Sequence, residues 1–123
     1  MTGVLAAKRQ ATAWLIAENP AEIIVTRREF VQSADGGRTE QVTVLSAFQG
    51  RLVPTGRQGA SVRWDEAGKM HLFDWSLVAP WSADVEVGDT FLANNRNFRV
   101  LRVVQRKYTG EVYSVHAELE EVG

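Results

Sequence analysis

GDTFLANNRNFRVLRVVQRKYTGEVYSVHAELEE, residues 88–121, carries the plainest structural signal in the chain. Between Val112 and Glu121 the side chains alternate, with Tyr113, Val115, Ala117 and Leu119 on one side and Ser114, His116, Glu118 and Glu120 on the other. A period of two is that of a strand with one face on a core and one in water. Thr109-Gly110 supplies a turn ahead of it, and Phe98 to Arg106 runs back as its partner. Upstream, Asn94-Asn95-Arg96-Asn97 offers residues that tolerate left-handed backbone angles, and Val87-Gly88-Asp89 opens into Thr90-Phe91-Leu92. The segment therefore predicts two successive hairpins.

The same alternation continues outward toward the N-terminus. From Met70 to Ala79, His71, Phe73, Trp75 and Leu77 oppose Asp74 and Ser76, and Pro80 closes the strand. Residues 54–69, PTGRQGASVRWDEAGK, have little sustained periodicity and predict an exposed loop with a short strand at Ser61 to Trp64. Before it, Val42, Val44, Ser46, Phe48 and Leu52 line one face of a strand, in which Gly50 predicts a bulge or sharp bend. Ile23 to Val31 alternates as well, and Ala34-Asp35-Gly36-Gly37 joins the two strands as a hairpin. At the start, Val4, Ala7, Ala11, Trp14 and Leu15 fall on one side of a helical wheel, with Arg9, Gln10 and Ala13 opposite, Thr2 as N-cap and Pro20 as stop. A helix of about fifteen residues is marginal in water, so the stripe is expected to dock on its own barrel or on a neighbouring subunit.

The chain's 123 residues suit one domain, with a core that withdraws roughly two thirds of the unfolded surface from water. The expected architecture is mainly β over residues 1–123: an N-terminal amphipathic helix at 1–19, a small SH3-like or related β-barrel at 22–121, and the long inserted loop at 54–69. A formal charge of -1 gives no global field to hold nucleic acid or an anionic membrane. With no cysteine, disulfides, thiolate metal sites and cysteine nucleophiles are excluded, which suits synthesis in a reducing cytoplasm. Lys8 and Arg9 interrupt the N-terminal segment, so neither a signal peptide nor a membrane span is expected there.

Catalytic chemistry has little to stand on. His71 and His116 lie on different strands without metal-ligand spacing, and Glu118, Glu120 and Glu121 read as a solvated strand edge. Gly56-Arg57-Gln58-Gly59 lacks the strand-turn-helix context of a phosphate loop. No enzyme activity, cofactor or metal is expected. Arg96, Arg99, Arg102, Arg106 and Lys107 cluster near Phe98 and Tyr108, as in small barrels that bind single-stranded nucleic acid, but alternation is expected to separate Arg99 from Arg102 and Arg106. Among four tryptophans, Trp75 is assigned to the core, while Trp14, Trp64 and Trp81, with Leu15, are candidate intersubunit anchors.

Four stretches together resemble a known family: RQATAWLIAENPAEIIVTRRE, the strand pair around ADGGRTE, the long loop after FQGRLVP, and GDTFLANNRNFRVLRVVQRKYTGEVYSVHAELEEV. They are similar to head-tail joining proteins of tailed bacteriophages, of the head-closure or stopper class. The resemblance implies a cyclic homo-oligomer in the virion neck, assembled in the host cytoplasm. Its partners would be the portal-adaptor complex, tail terminator or tail tube proteins, and packaged double-stranded DNA in nonspecific contact, with no membrane. It assigns the loop to the channel lumen, where Arg57, Gln58 and Arg63 would meet DNA and Gly56, Gly59 and Gly68 would act as hinges. A tail-completion or terminator ring protein and a nucleic-acid-binding small β-barrel are the alternatives.

Overall fold

In the computed structural model of the protein the described residues are 3–54, 61–64, 70–73 and 75–122, with the backbone alone for 61–64 and 70–73. One helix, α1 (Val4–Glu18), precedes ten strands: β1 (Ala21–Ile23), β2 (Val25–Gln32), β3 (Arg38–Val44), β4 (Phe48–Pro54), β5 (Ser61–Trp64), β6 (Met70–Phe73), β7 (Trp75–Pro80), β8 (Thr90–Ala93), β9 (Arg96–Tyr108) and β10 (Glu111–Val122). Eight strands form an antiparallel sheet in the order β1-β4-β7-β10-β9-β8-β2-β3, and β5 and β6 pair separately. The expected mainly β fold with an N-terminal helix is present, and β5 occupies the short strand expected at 61–64.

The expected barrel is not closed. Its ladder has two ends, β1 and β3, and no hydrogen-bonded pairing joins them. Ile24 alone separates β1, at one end, from β2, next to the other end. The sheet is thus curled until covalent chain, not a ladder, links its two sides. Val25, Phe91, Phe98, Val100, Val115, Ala117, Leu119, Leu77, Ile23 and Leu52 fill the concave side. Phe98 anchors this core, with Phe91 at 5.3 Å and the half-buried Trp75 edge-on at 5.8 Å between ring centroids. Trp75 therefore takes the core position assigned to it.

The hairpins of the last third follow their turn residues. Asn94 and Asn95 have φ of 52° and 62° between β8 and β9, and Thr109 and Gly110 have 50° and 85° between β9 and β10. Both are two-residue loops with positive φ at each position, the geometry whose twist suits antiparallel strands. Two expectations upstream are corrected. The run from Val42 to Leu52 is not one strand: Leu45, Ser46 and Ala47 carry the chain from β3 at one edge to β4 near the other. Gly50 makes no bulge and keeps regular pairing with Ala21. A Cβ there would lie 2.8 Å from Leu77 Cδ1 and 3.2 Å from the Val78 carbonyl oxygen, so glycine is required by the close approach of β1, β4 and β7.

Of the two seats expected for the helical stripe, its own sheet is not taken. Ile16 is the helix's buried residue, and Leu5, Lys8, Arg9 and Thr12 are its half-buried ones, while Val4, Ala7, Ala11, Trp14 and Leu15 are exposed. At 100° per residue the docked side lies roughly 120° around the helix from the expected stripe. Alpha1 rests on β10, β7 and β4. There it covers the convex side of the sheet, which explains why Ser114 and Val78, outside the concave core cluster, are nonetheless buried.

Candidate functional site

Three side-chain arrangements bind the elements together, and each leaves a surface beside it. The first surrounds Arg27 on β2. Its guanidinium donates to both Asp89 oxygens, at 3.0 and 2.9 Å, and to the Asp84 carboxylate at 3.0 Å, with Glu86 at 3.3 Å. Asp89 also accepts from the Glu86 backbone N–H at 2.7 Å and is 2% exposed. Gly88 takes φ of 92° to bring that carboxylate inward. Its hydrogen bonds to Asp89 and then to Asp84 hold the Arg27 guanidinium well above its ordinary pKa, so it is a fixed cation. The Gly-Asp-Thr-Phe opening is in this structure a latch between β2 and the 84–89 turn.

The second arrangement seats α1. Arg9 places its guanidinium carbon 3.9 Å from the Trp81 ring centroid and donates twice to the Val112 carbonyl, at 3.1 and 2.9 Å. Lys8 Nζ lies 5.0 Å from the Tyr113 ring and 5.8 Å from Tyr108. Arg51 on β4 donates to the Leu15 carbonyl and to Glu18, each at 3.0 Å. The cations of the helix thus face its own sheet. Beside Arg9 and Trp81 an open groove of about 550 Å³ remains, walled by Leu5, Ala6, Ala13 and Pro80.

The third is the β9–β10 ribbon. Arg99 meets Glu120 at 2.6 Å, Arg102 meets Glu118 at 3.5 Å, and Arg96 meets Glu121 at 2.7 Å. The pairing shifts register between Glu118 and Leu119, leaving Leu101 as the extra residue. That bulge returns Arg99 to the same face as Arg102, correcting the expected separation. Carboxylates neutralise the row. Nearby, Ser114 Oγ lies 3.1 Å from His116 Nε2, and burial, followed by the Arg106 charge, holds the His116 pKa below its ordinary value of 6.5. Among the described residues no group of three or more His, Cys, Asp or Glu is placed to hold a metal ion, and no helix is long and apolar enough to cross a membrane.

The sequence-predicted site residues fall into separate places. Trp14 and Leu15 are exposed on the outer side of α1, and Trp81 is exposed on one side and stacked by Arg9 on the other. Arg63 and Trp64 lie on β5, where only the backbone is described. Gly56, Arg57, Gln58, Gly59 and Gly68, expected at the lumen loop, lie outside the described residues. An apolar surface absent from the sequence reading lies on the β2–β3 hairpin, where Phe30, Val42 and Val44 are exposed. Its signal was the alternation of Val42 and Val44, which the sequence reading joined to Phe48 and Leu52 as one strand, whereas β3 is exposed throughout.

No family model matches the chain, and no curated protein does. Among solved structures, the chain is similar to the phage-like element PBSX protein xkdH from Bacillus subtilis. The two are 12% identical, with a TM-score of 0.41, over 80% of this chain and 92% of that one.

Proposed function

We propose that this chain is a structural neck protein of a tailed phage, of the head-closure or stopper class. Copies form a ring below the portal and adaptor, close the channel on packaged double-stranded DNA and present a surface to the tail. The role requires no catalytic step, cofactor or metal. Its place is the virion neck, after assembly in the host cytoplasm.

The observation that supports this reading most directly is apolar surface at two places, on α1 and on the β2–β3 hairpin, in a chain that docks its helix by the more polar side. Exposed apolar patches of this kind are often interaction surfaces. The four stretches that resemble stopper proteins supply the class, and the phage origin of the xkdH neighbour agrees with it without being needed. In this reading residues 54–69 reach the lumen. Particles carrying a deletion of residues 56–59 are expected to package DNA and then lose it; normal retention would remove the gate role. Cryo-microscopy of assembled necks distinguishes a stopper from a tail-completion ring by which side of the joint the ring occupies. The nucleic-acid reading loses support because Arg96, Arg99 and Arg102 already hold carboxylates.

A further inference from the structure

Among the described residues two apolar faces lack cover. Along the outer side of α1, Val4, Trp14 and Leu15 are 52%, 67% and 41% exposed, with Ala7 and Ala11 between them. Positions 4, 7, 11, 14 and 15 keep the three- and four-residue rhythm of a packing seam. On the hairpin, Thr26 opposes Val44, Arg28 opposes Val42 and Phe30 opposes Glu40, a register that puts Phe30, Val42 and Val44 on one face, with the Arg28–Glu40 ion pair at 3.2 Å lying between them. These three are 71%, 53% and 65% exposed. Beyond Thr26, the last β2 residue paired with β8, the hairpin leaves the body of the sheet as a two-stranded arm.

We infer that these faces cover each other between copies, the arm of one chain lying along the α1 stripe of the next. The inference rests on the ring reading above and names its subunit contact. The two faces are similar in length: the stripe from Val4 to Leu15 rises about 16 Å, and the arm face from Val44 to the level of Phe30, opposite Glu40, runs about 13 Å. They match in extent, each presenting apolar side-chain area on the order of 300 Å², so one contact is small and repetition around a ring strengthens it. They also match in charge. Arg38, at the arm's tip, has no partner among the described residues, and just past α1, where Arg51 already holds Glu18, the exposed Glu22 has none either. With the tip at the helix C-terminus, Arg38 meets Glu22. Within one chain α1 packs on β10, β7 and β4 rather than on the arm. Because the faces differ, the contact is head-to-tail and builds rings or chains of copies instead of a closed pair.

The absence of cysteine makes the test direct. Chains with Val42→Cys and chains with Ala11→Cys are mixed and treated with a short bis-maleimide. The mixture is expected to yield a covalent dimer, each variant alone to stay uncoupled, and the double variant to give a ladder of oligomers. Phe30→Ser and Trp14→Ser should each weaken self-association roughly tenfold or more by sedimentation. Coupling of either single variant with itself, as efficient as the mixture, overturns the inference in favour of a symmetric contact. Oligomers of the unmodified chain without the mixed cross-link overturn it too, yet leave the ring reading standing. A chain that stays monomeric and uncoupled at every concentration also overturns the contact, and micrographs of the neck then judge the ring by itself.

Discussion

Asp89 is withdrawn from water, and its oxygens accept from Arg27 twice and from the Glu86 amide. Removing the carboxylate leaves a guanidinium, itself largely covered, facing Asp84 and Glu86 alone. Asp89→Ala is therefore expected to destabilise the fold by about 3 kcal/mol, read as a lower urea midpoint with unchanged slope. Gly50→Ala is the complementary case, since the new methyl meets Leu77 and the Val78 carbonyl at once. A cost of about 2 kcal/mol is expected in the same measurement. His116 gives a pH signature. Burial and the Arg106 charge hold its folded pKa below 6.5, so the unfolded chain binds more protons in the window between the two values. Stability from this group is complete above pH 6.5 and falls as pH drops through the folded pKa. His116→Gln should flatten that part of the stability–pH curve, whereas an unchanged slope would assign it to other groups.

At the scale of elements, the helix separates anchoring from display. Ile16 is its buried residue, and Arg9 and Lys8 fix its near side to Val112, Trp81 and the tyrosines. Ile16→Ala is expected to cost about 2 kcal/mol in thermal or urea unfolding, while Trp14→Ala in the monomer should stay within about 0.5 kcal/mol. The opposite ranking would place the sheet under the Trp14 side. The hairpin arm divides in the same way, held at its base by Arg27 and closed at its tip by hydrogen bonds of Ser33 with Gly37 and Asp35. The Ser33 hydroxyl and the Gly37 amide hold the Asp35 carboxyl below its usual range. Between base and tip the arm exposes apolar side chains on two strands that pair with each other and leave their outer edges unpaired, a hazard for aggregation unless another chain covers them.

For the whole molecule, charge pairing across β9 and β10 sets what DNA contact can be. Arg96, Arg99 and Arg102 are matched by Glu121, Glu120 and Glu118, and a protein with a formal charge of -1 gains little from counterion release. The free chain is expected to elute from double-stranded DNA at low salt. Neutralising Arg99 together with Glu120 should leave that elution unchanged. Retention at physiological salt would favour the nucleic-acid alternative.

Alternation and turn residues determined much of the local structure: the β8–β9 and β9–β10 hairpins and the concave set Val115, Ala117 and Leu119 are legible because a period of two and positive-φ residues act within a few positions, and Pro20 marks the end of the helix, whose N-cap is Gly3 and not the expected Thr2. Other features belonged to the tertiary structure. The side of α1 that docks was decided by Arg9 and Lys8 finding the Val112 carbonyl and the rings of Trp81, Tyr108 and Tyr113, and by Arg51 of β4 donating to the Leu15 carbonyl of the helix, contacts that a hydrophobic wheel does not count. The open ladder, the split at Leu45 to Ala47, and the need for Gly50 arise where strands distant in sequence meet. A bulge at Leu101 moved Arg99 across the sheet by one residue of register. Sequence fixes which residues prefer water or a core within an element; only packing between elements determines which of two usable faces is left outside.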